Sequence, residues 1–116
     1  MDALKEDFLE FQAKTTPHPL ALSVKKAKGA YITTTDNKTY LDFIAGVSAC
    51  SLGHRHPKVV RAIRNQTKKY LHVMVYGEFA QAPAVQLCKE LVALLPNNQE
   101  RVYLTNSGTE AIEGAL

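Results

Sequence analysis

Five residues near the C-terminal end of the chain carry the clearest chemistry: Asn106-Ser107-Gly108-Thr109-Glu110. The apolar stretch Val102-Tyr103-Leu104 leads into them, and Ala111 and Ile112 follow. This order reads as a strand, a turn of small residues and the first turn of a helix. The first amides of a helix have no partner inside it, and the helix dipole adds partial positive charge at the same end. Such a turn suits an anion, phosphate above all. Gly108 and Thr109 offer the amides, and the Ser107 and Thr109 hydroxyls add donors. A side chain at 108 would restrict both the turn and the approach of a ligand. The same residues spell a capping box, with Ser107 as N-cap and Glu110 three residues on. The two readings are compatible, because a capped helix still presents free amides.

Other candidates carry less. His54-x-His56 has the look of a metal pair, but zinc needs three or four ligands, and neither Cys50 nor His72 stands at a familiar spacing. The pair reads as a loop that enters a helix at Pro57, and no metal site is expected. Lys58, Arg61, Arg64 and Lys68 recur at helical spacing. Without a glycine-aromatic binding motif beside them they read as the solvated back of an amphipathic helix, not a nucleic-acid surface. Cys50 has no recognisable base partner. Asp42 and Glu110 have no distance between them that sequence can supply.

The elements that must position these residues follow from periodicity. Leu4, Phe8, Leu9 and Phe11 among charged neighbours predict a short amphipathic helix over 3–13. Pro17 and Pro19 make 15–20 extended. Residues 29–43 predict a hairpin, with Tyr31 to Thr35 as one arm, Asp36-Asn37 as the turn and Thr39 to Phe43 as the other. The run 44–52 is small and apolar and can lie close to another backbone or a ligand. A helix is expected from Pro57 to about His72, with Val60, Ile63, Thr67 and Leu71 on one face. A second is expected over 84–95, with Leu87, Leu91, Leu94 and Leu95 buried, ended by Pro96. A strand at Val102–Leu104 then opens an α/β layer. Two segments result: 1–72, with helix, hairpin and helix, and 73–116, the start of a larger domain. One strand does not make a sheet, so the chain reads as the front piece of something longer.

Size and composition agree with a globular protein. The chain has 116 residues, 46% apolar and 22% charged, and a net charge of +3. That charge is too small to argue for nucleic acid. Two well-separated cysteines fit a reducing compartment. The N-terminus lacks a basic and apolar leader, and no run approaches the roughly 18 apolar residues of a membrane span. A soluble, cytoplasmic protein is expected.

Three pieces now fall into one order: Tyr40-Leu41-Asp42-Phe43 with Gly46, then Gly53-His54-Arg55-His56-Pro57, then Asn106-Ser107-Gly108-Thr109-Glu110-Ala111. In this order the chain resembles the N-terminal segment of the class III (subgroup II) aminotransferases, the acetylornithine, ornithine and 4-aminobutyrate transaminases among them. The resemblance implies an α/β fold, the N-terminal part of a fold-type-I pyridoxal-phosphate transferase. It implies pyridoxal 5'-phosphate as cofactor, with Ser107, Gly108 and Thr109 on its phosphate. It places Val47 at a substrate-facing position with Ser48 beside it, and more weakly Tyr76 and Phe79 near the substrate. An amino donor and a 2-oxo acid acceptor are implied as small-molecule partners, and a homodimer with active sites at the subunit interface. The family's catalytic lysine, and the aspartate that makes the cofactor ring an electron sink, lie downstream of the phosphate turn. All lysines here precede that turn, so no catalytic residue is assigned and the 116 residues alone are expected to be inactive. Two alternatives stay open: the same fold acting as a glutamate-1-semialdehyde-type aminomutase, racemase or decarboxylase, and a non-enzymatic interaction module whose turn is only a helix cap.

Overall fold

A three-stranded antiparallel sheet organises the first part of the chain in the computed structural model, which describes residues 2–74 and 77–116. The strands are β1 (Val24–Lys28), β2 (Tyr31–Thr34) and β3 (Thr39–Leu41), in the order β1-β2-β3. They lie in the first of two units, Met1–Leu71 and His72–Leu116.

The β2–β3 hairpin forms where the sequence predicts it. Ile32 pairs with Tyr40 and Thr33 with Thr39. Asn37 takes φ 63, the left-handed conformation that Asn tolerates better than most residues. Asp36 closes the turn from both sides. It accepts from the Thr34 hydroxyl, and Lys38 Nζ stands 2.8 Å from its Oδ2. Lys38 first, then Thr34, hold the Asp36 carboxyl down at about 2.

Strand β1 is an addition to the sequence reading. Its residues Val-Lys-Lys-Ala-Lys show little apolar alternation, which is why periodicity passed over it. It is there because Gly29 and Ala30 link it to β2 in a two-residue turn, with Lys28 opposite Tyr31. Gly29 supplies the φ of +58 that such a link requires.

The first unit also holds α1 (Ala3–Phe11) and α2 (Pro57–Thr67). Helix α1 is tied to the sheet by its first flanking residue, since the Thr35 hydroxyl donates to Asp2 Oδ2 at 2.9 Å. Helix α2 starts at Pro57 as expected but stops short of His72. The Lys69 and Tyr70 amides both return to the Gln66 carbonyl, and the Gln66 side chain donates to the Tyr70 carbonyl. These bonds close the last turn, and Leu71 is left outside the helix.

The second unit holds α3 (Ala82–Leu94) and α4 (Gly108–Ala115). Helix α3 begins two residues before the expected 84 because Pro83 occupies its first turn, where a missing N–H costs nothing. Its more covered positions are Ala84, Cys88, Leu91 and Val92, not the expected Leu87, Leu94 and Leu95. The Cys88 thiol on that side points to the Val102 carbonyl. The expected strand at Val102–Leu104 does not form: no other strand pairs with it among the described residues, and a lone extended segment has no ladder.

No apolar side chain is fully buried among the described residues. Phe11, Leu20, Phe43, Leu71, Leu94 and Tyr103 each stand more than three-quarters exposed. The packing of this segment is thus set by backbone ladders and polar closures. Gly53 is one such closure. It has φ +83, and a Cβ there would sit 3.1 Å from the Gly29 carbonyl oxygen. Gly53→Ala is expected to lower the stability of the full-length gene product by about 1–3 kcal/mol, read as a shifted urea midpoint. Gly29→Ala, whose Cβ meets open space, is expected to cost less.

Candidate functional site

The start of α4 has the geometry that the sequence suggests. Ser107 is the N-cap in extended conformation, and its Oγ accepts from the Glu110 amide at 3.2 Å. The Ala111 amide returns to the Ser107 carbonyl. Glu110 reaches back one residue further than an ordinary capping box, accepting the Asn106 amide at 2.8 Å instead of that of Ser107. Consequently the amides of Ser107, Gly108 and Thr109 meet no acceptor among the described residues. A Cβ on Gly108 would meet nothing within 4 Å. The turn is braced from outside: the Thr105 hydroxyl donates to the Ser107 carbonyl, and the Tyr103 ring lies against Gly114 on the last turn of α4. Ser107, Gly108 and Thr109 are all exposed. The structure brings these three residues together at one helix end.

Val47 and Ser48 come together in the first unit, on the loop that leaves β3. There the backbone adopts a conformation that these residue types do not favour. Ala45, Gly46, Val47 and Ser48 have φ 50, 60, 55 and 67, a left-handed run in which only one member is glycine. Each non-glycine residue there costs roughly 1–2 kcal/mol, and a β-branched residue such as Val47 is a true outlier. The run is held by hydrogen bonds of its own, from the Ser48 amide to the Ile44 carbonyl and from the Cys50 amide to the Ala45 carbonyl at 2.8 Å. The Val47 side chain stands 86% exposed.

Asp42 anchors that loop, a role that its place in the sequence does not by itself disclose. Its Oδ1 accepts the amides of Ile44 and Ala45, each at 2.9 Å. Its Oδ2 stands 2.7 Å from His54 Nε2. An ionised carboxylate only accepts, so Nε2 carries the proton. His54 is itself fixed: its amide donates to the Gly29 carbonyl, and its carbonyl accepts the Gly29 amide. The Asp42 side chain is only 7% exposed. An Asp two and three residues before amides in a small-residue run is the signature of a side-chain-capped turn, and it was the available signal. His54 Nε2 is thus engaged by Asp42. Among the described residues no three His, Cys, Asp or Glu side chains converge as metal ligands do. Phe79 is half exposed in the second unit. Tyr76 lies outside the described residues.

Residues 11–116 match the family model for class-III aminotransferases, and the chain belongs to that family. It is 42% identical over 99 residues to an acetylornithine aminotransferase of Mycobacterium leprae, covering 84% of this chain and 24% of that protein. It is 34% identical over 106 residues to an adenosylmethionine-8-amino-7-oxononanoate aminotransferase of Buchnera aphidicola, covering 91% of this chain and 24% of that protein. Among solved structures, an ornithine aminotransferase of Plasmodium yoelii superposes with a TM-score of 0.79 at 29% identity, over 95% of this chain and 28% of that one. The chain thus spans about a quarter of the length of its relatives. Its fold is the N-terminal α/β portion that these aminotransferases share. No helix among the described residues is long and apolar enough to cross a membrane.

The bond to His54, then the amides of Ala45 and Ile44, hold the Asp42 carboxyl below its ordinary value of 3.8. A carboxyl with a lowered native value stabilises the fold fully above its unfolded value and loses that contribution as pH falls through the native one. The Asp42 carboxyl carbon is therefore expected to titrate below 3.8 in an NMR pH series, and His54→Ala to move that midpoint upward.

Proposed function

We propose that the full-length gene product transfers an amino group from an amino-acid or ω-amine donor, of the ornithine, acetylornithine or 4-aminobutyrate kind, to a 2-oxo acid, with pyridoxal 5'-phosphate as cofactor. The observation that carries the reading is the start of α4. Three consecutive amides lack acceptors among the described residues, at the positive end of a helix dipole and beside a glycine with open space at its Cβ. Membership of the class-III aminotransferase family supports it.

In this reading Ser107, Gly108 and Thr109 hold the cofactor phosphate. The Ser107 hydroxyl can do both of its jobs at once: its oxygen caps the Glu110 amide while its proton remains free for a phosphate oxygen. The Glu110 carboxylate is kept from the phosphate by its bond to the Asn106 amide. When bound, the cofactor supplies an aldehyde that takes up the amino group and a ring that withdraws the electrons left by proton removal. Val47 and Ser48 line the donor side, presented by the left-handed turn. The lysine and the ring-nitrogen aspartate come from chain beyond these 116 residues, as does most of the cofactor-binding domain that 73–116 opens. The working unit is a homodimer with its active sites at the subunit interface.

Gly108→Val tests the phosphate assignment with little risk to the fold, since the position is exposed and its Cβ meets open space. In the purified full-length gene product the variant is expected to bind pyridoxal phosphate at least tenfold more weakly (about 1.4 kcal/mol), with an unchanged circular dichroism spectrum. Unchanged cofactor affinity refutes the assignment. Amino transfer is read in the unsubstituted protein with ornithine-type donors. Product formation that needs no 2-oxo acid overturns the transaminase reading in favour of an aminomutase.

A further inference from the structure

The 42–54 loop poses a physical question. An exposed valine is held in a backbone conformation that valine disfavours, in a run with two other left-handed non-glycine residues. Strain of this kind persists only where the surroundings over-determine it, and it concentrates where a side chain must be aimed. The surroundings here are few enough to name. At the front of the loop, the Asp42 amide donates to the Ala30 carbonyl at 2.8 Å, so the sheet fixes the Asp42 backbone. The Asp42 Oδ1 takes the Ile44 and Ala45 amides, which would otherwise lack acceptors at the start of the left-handed run. At the back, His54 is locked to Gly29 by a pair of backbone bonds, and the Gly53 amide donates to the Cys50 carbonyl at 2.7 Å. The Ser51 hydroxyl donates to the Ser48 carbonyl at 2.6 Å. Asp42 Oδ2 and His54 Nε2 then join front to back. The result is a closed loop whose two ends are clasped by one side-chain pair, with Val47 and Ser48 near its middle in sequence.

We infer that Asp42 and His54 are positioning residues for donor recognition: their clasp fixes the left-handed turn and thereby the place of Val47 and Ser48 in the donor pocket. The inference rests on the reading of Val47 and Ser48 as donor-side residues. In this inference Asp42 and His54 act on the donor only through the loop they hold, as positioning and not catalytic residues. The clasp acts on binding of the donor and leaves the chemical step and the cofactor phosphate to other residues. Its chemistry is also specific. Position 42 needs an acceptor for two amides and, on its second atom, a partner for an imidazole. An asparagine meets both needs, because its oxygen accepts the amides and its NH2 donates to a neutral imidazole whose proton has moved to Nδ1. Alanine meets neither.

The experiment uses the full-length gene product loaded with pyridoxal phosphate. Asp42→Ala is expected to raise KM for the amino donor about tenfold or more while kcat and cofactor affinity change less than about threefold. Asp42→Asn at pH 8 is expected to bring KM back to within about threefold of the unsubstituted protein. His54→Ala, which opens the clasp but leaves the two amide bonds, is expected to fall between them. Hydrogen exchange of the Ala45 and Cys50 amides, measured on the same proteins, reads the loop directly and does not depend on turnover. It is expected to quicken at least tenfold in Asp42→Ala and to recover in Asp42→Asn. Unchanged exchange in Asp42→Ala overturns the clasp. Quickened exchange with an unchanged KM overturns its role in donor recognition. A kcat that falls in step with cofactor loss overturns the positioning role in favour of a general structural one. Absence of amino transfer by the unsubstituted protein defeats the transaminase reading and the donor role together, while the exchange result still decides whether the clasp holds the loop.

Discussion

One carboxylate sets the geometry of the first unit beyond its sheet. Asp42 stands one residue past β3, where a bond from its own amide to Ala30 continues the sheet's pattern. From that fixed point its two oxygens serve three donors, two at the start of the left-handed run and one on the segment that returns to α2. Position therefore passes from the sheet to Asp42, from Asp42 to the loop, and from His54 to the helix that begins at Pro57. Gly53 matters because it lets its backbone come close to that of Gly29, and Gly29 because its positive φ turns β1 into β2. A Cβ at Gly53 would sit 3.1 Å from the Gly29 carbonyl oxygen, so a larger residue there forces the two backbones slightly apart.

The second unit uses the same principle with a neutral group. Ser107 caps one orphan amide of α4, and Glu110 takes another from one residue before the cap. In both units a short polar side chain satisfies amides that the backbone cannot, as turns and helix starts require. The difference lies in exposure. Asp42 is almost enclosed and its charge is spent on protein donors. Ser107 is open to solvent and leaves neighbouring amides free. The first arrangement suits holding a loop, the second suits receiving a ligand.

Much of this was legible in the residues. The hairpin at Asp36-Asn37, the helix start at Pro57 and the cap at Ser107 all follow from local chemistry, where a side chain or a ring decides the backbone within a few residues. What was not legible depended on distant or absent partners. The strand at Val102–Leu104 needs a neighbour to become a strand. The covered side of α3 runs through Ala84, Cys88, Leu91 and Val92, so of the expected leucines only Leu91 lies on it. Strand β1 exists because Gly29 folds it back, although its own residues are mostly lysine. The Asp42–His54 pair joins residues 12 apart, and each looked ordinary where it stood.

That lysine-rich strand has a bearing on how the molecule meets its own kind. β1 lies at an edge of the sheet, and three of its five residues are Lys25, Lys26 and Lys28. An unpaired edge is a template for a second chain, and neighbouring strands sit only about 5 Å apart. A copy of β1 added in parallel and in register would set Lys25, Lys26 and Lys28 against their own counterparts. This segment also exposes many apolar side chains, the material from which uncontrolled association is made. Among the described residues, the charge on β1 therefore disfavours strand addition at that edge.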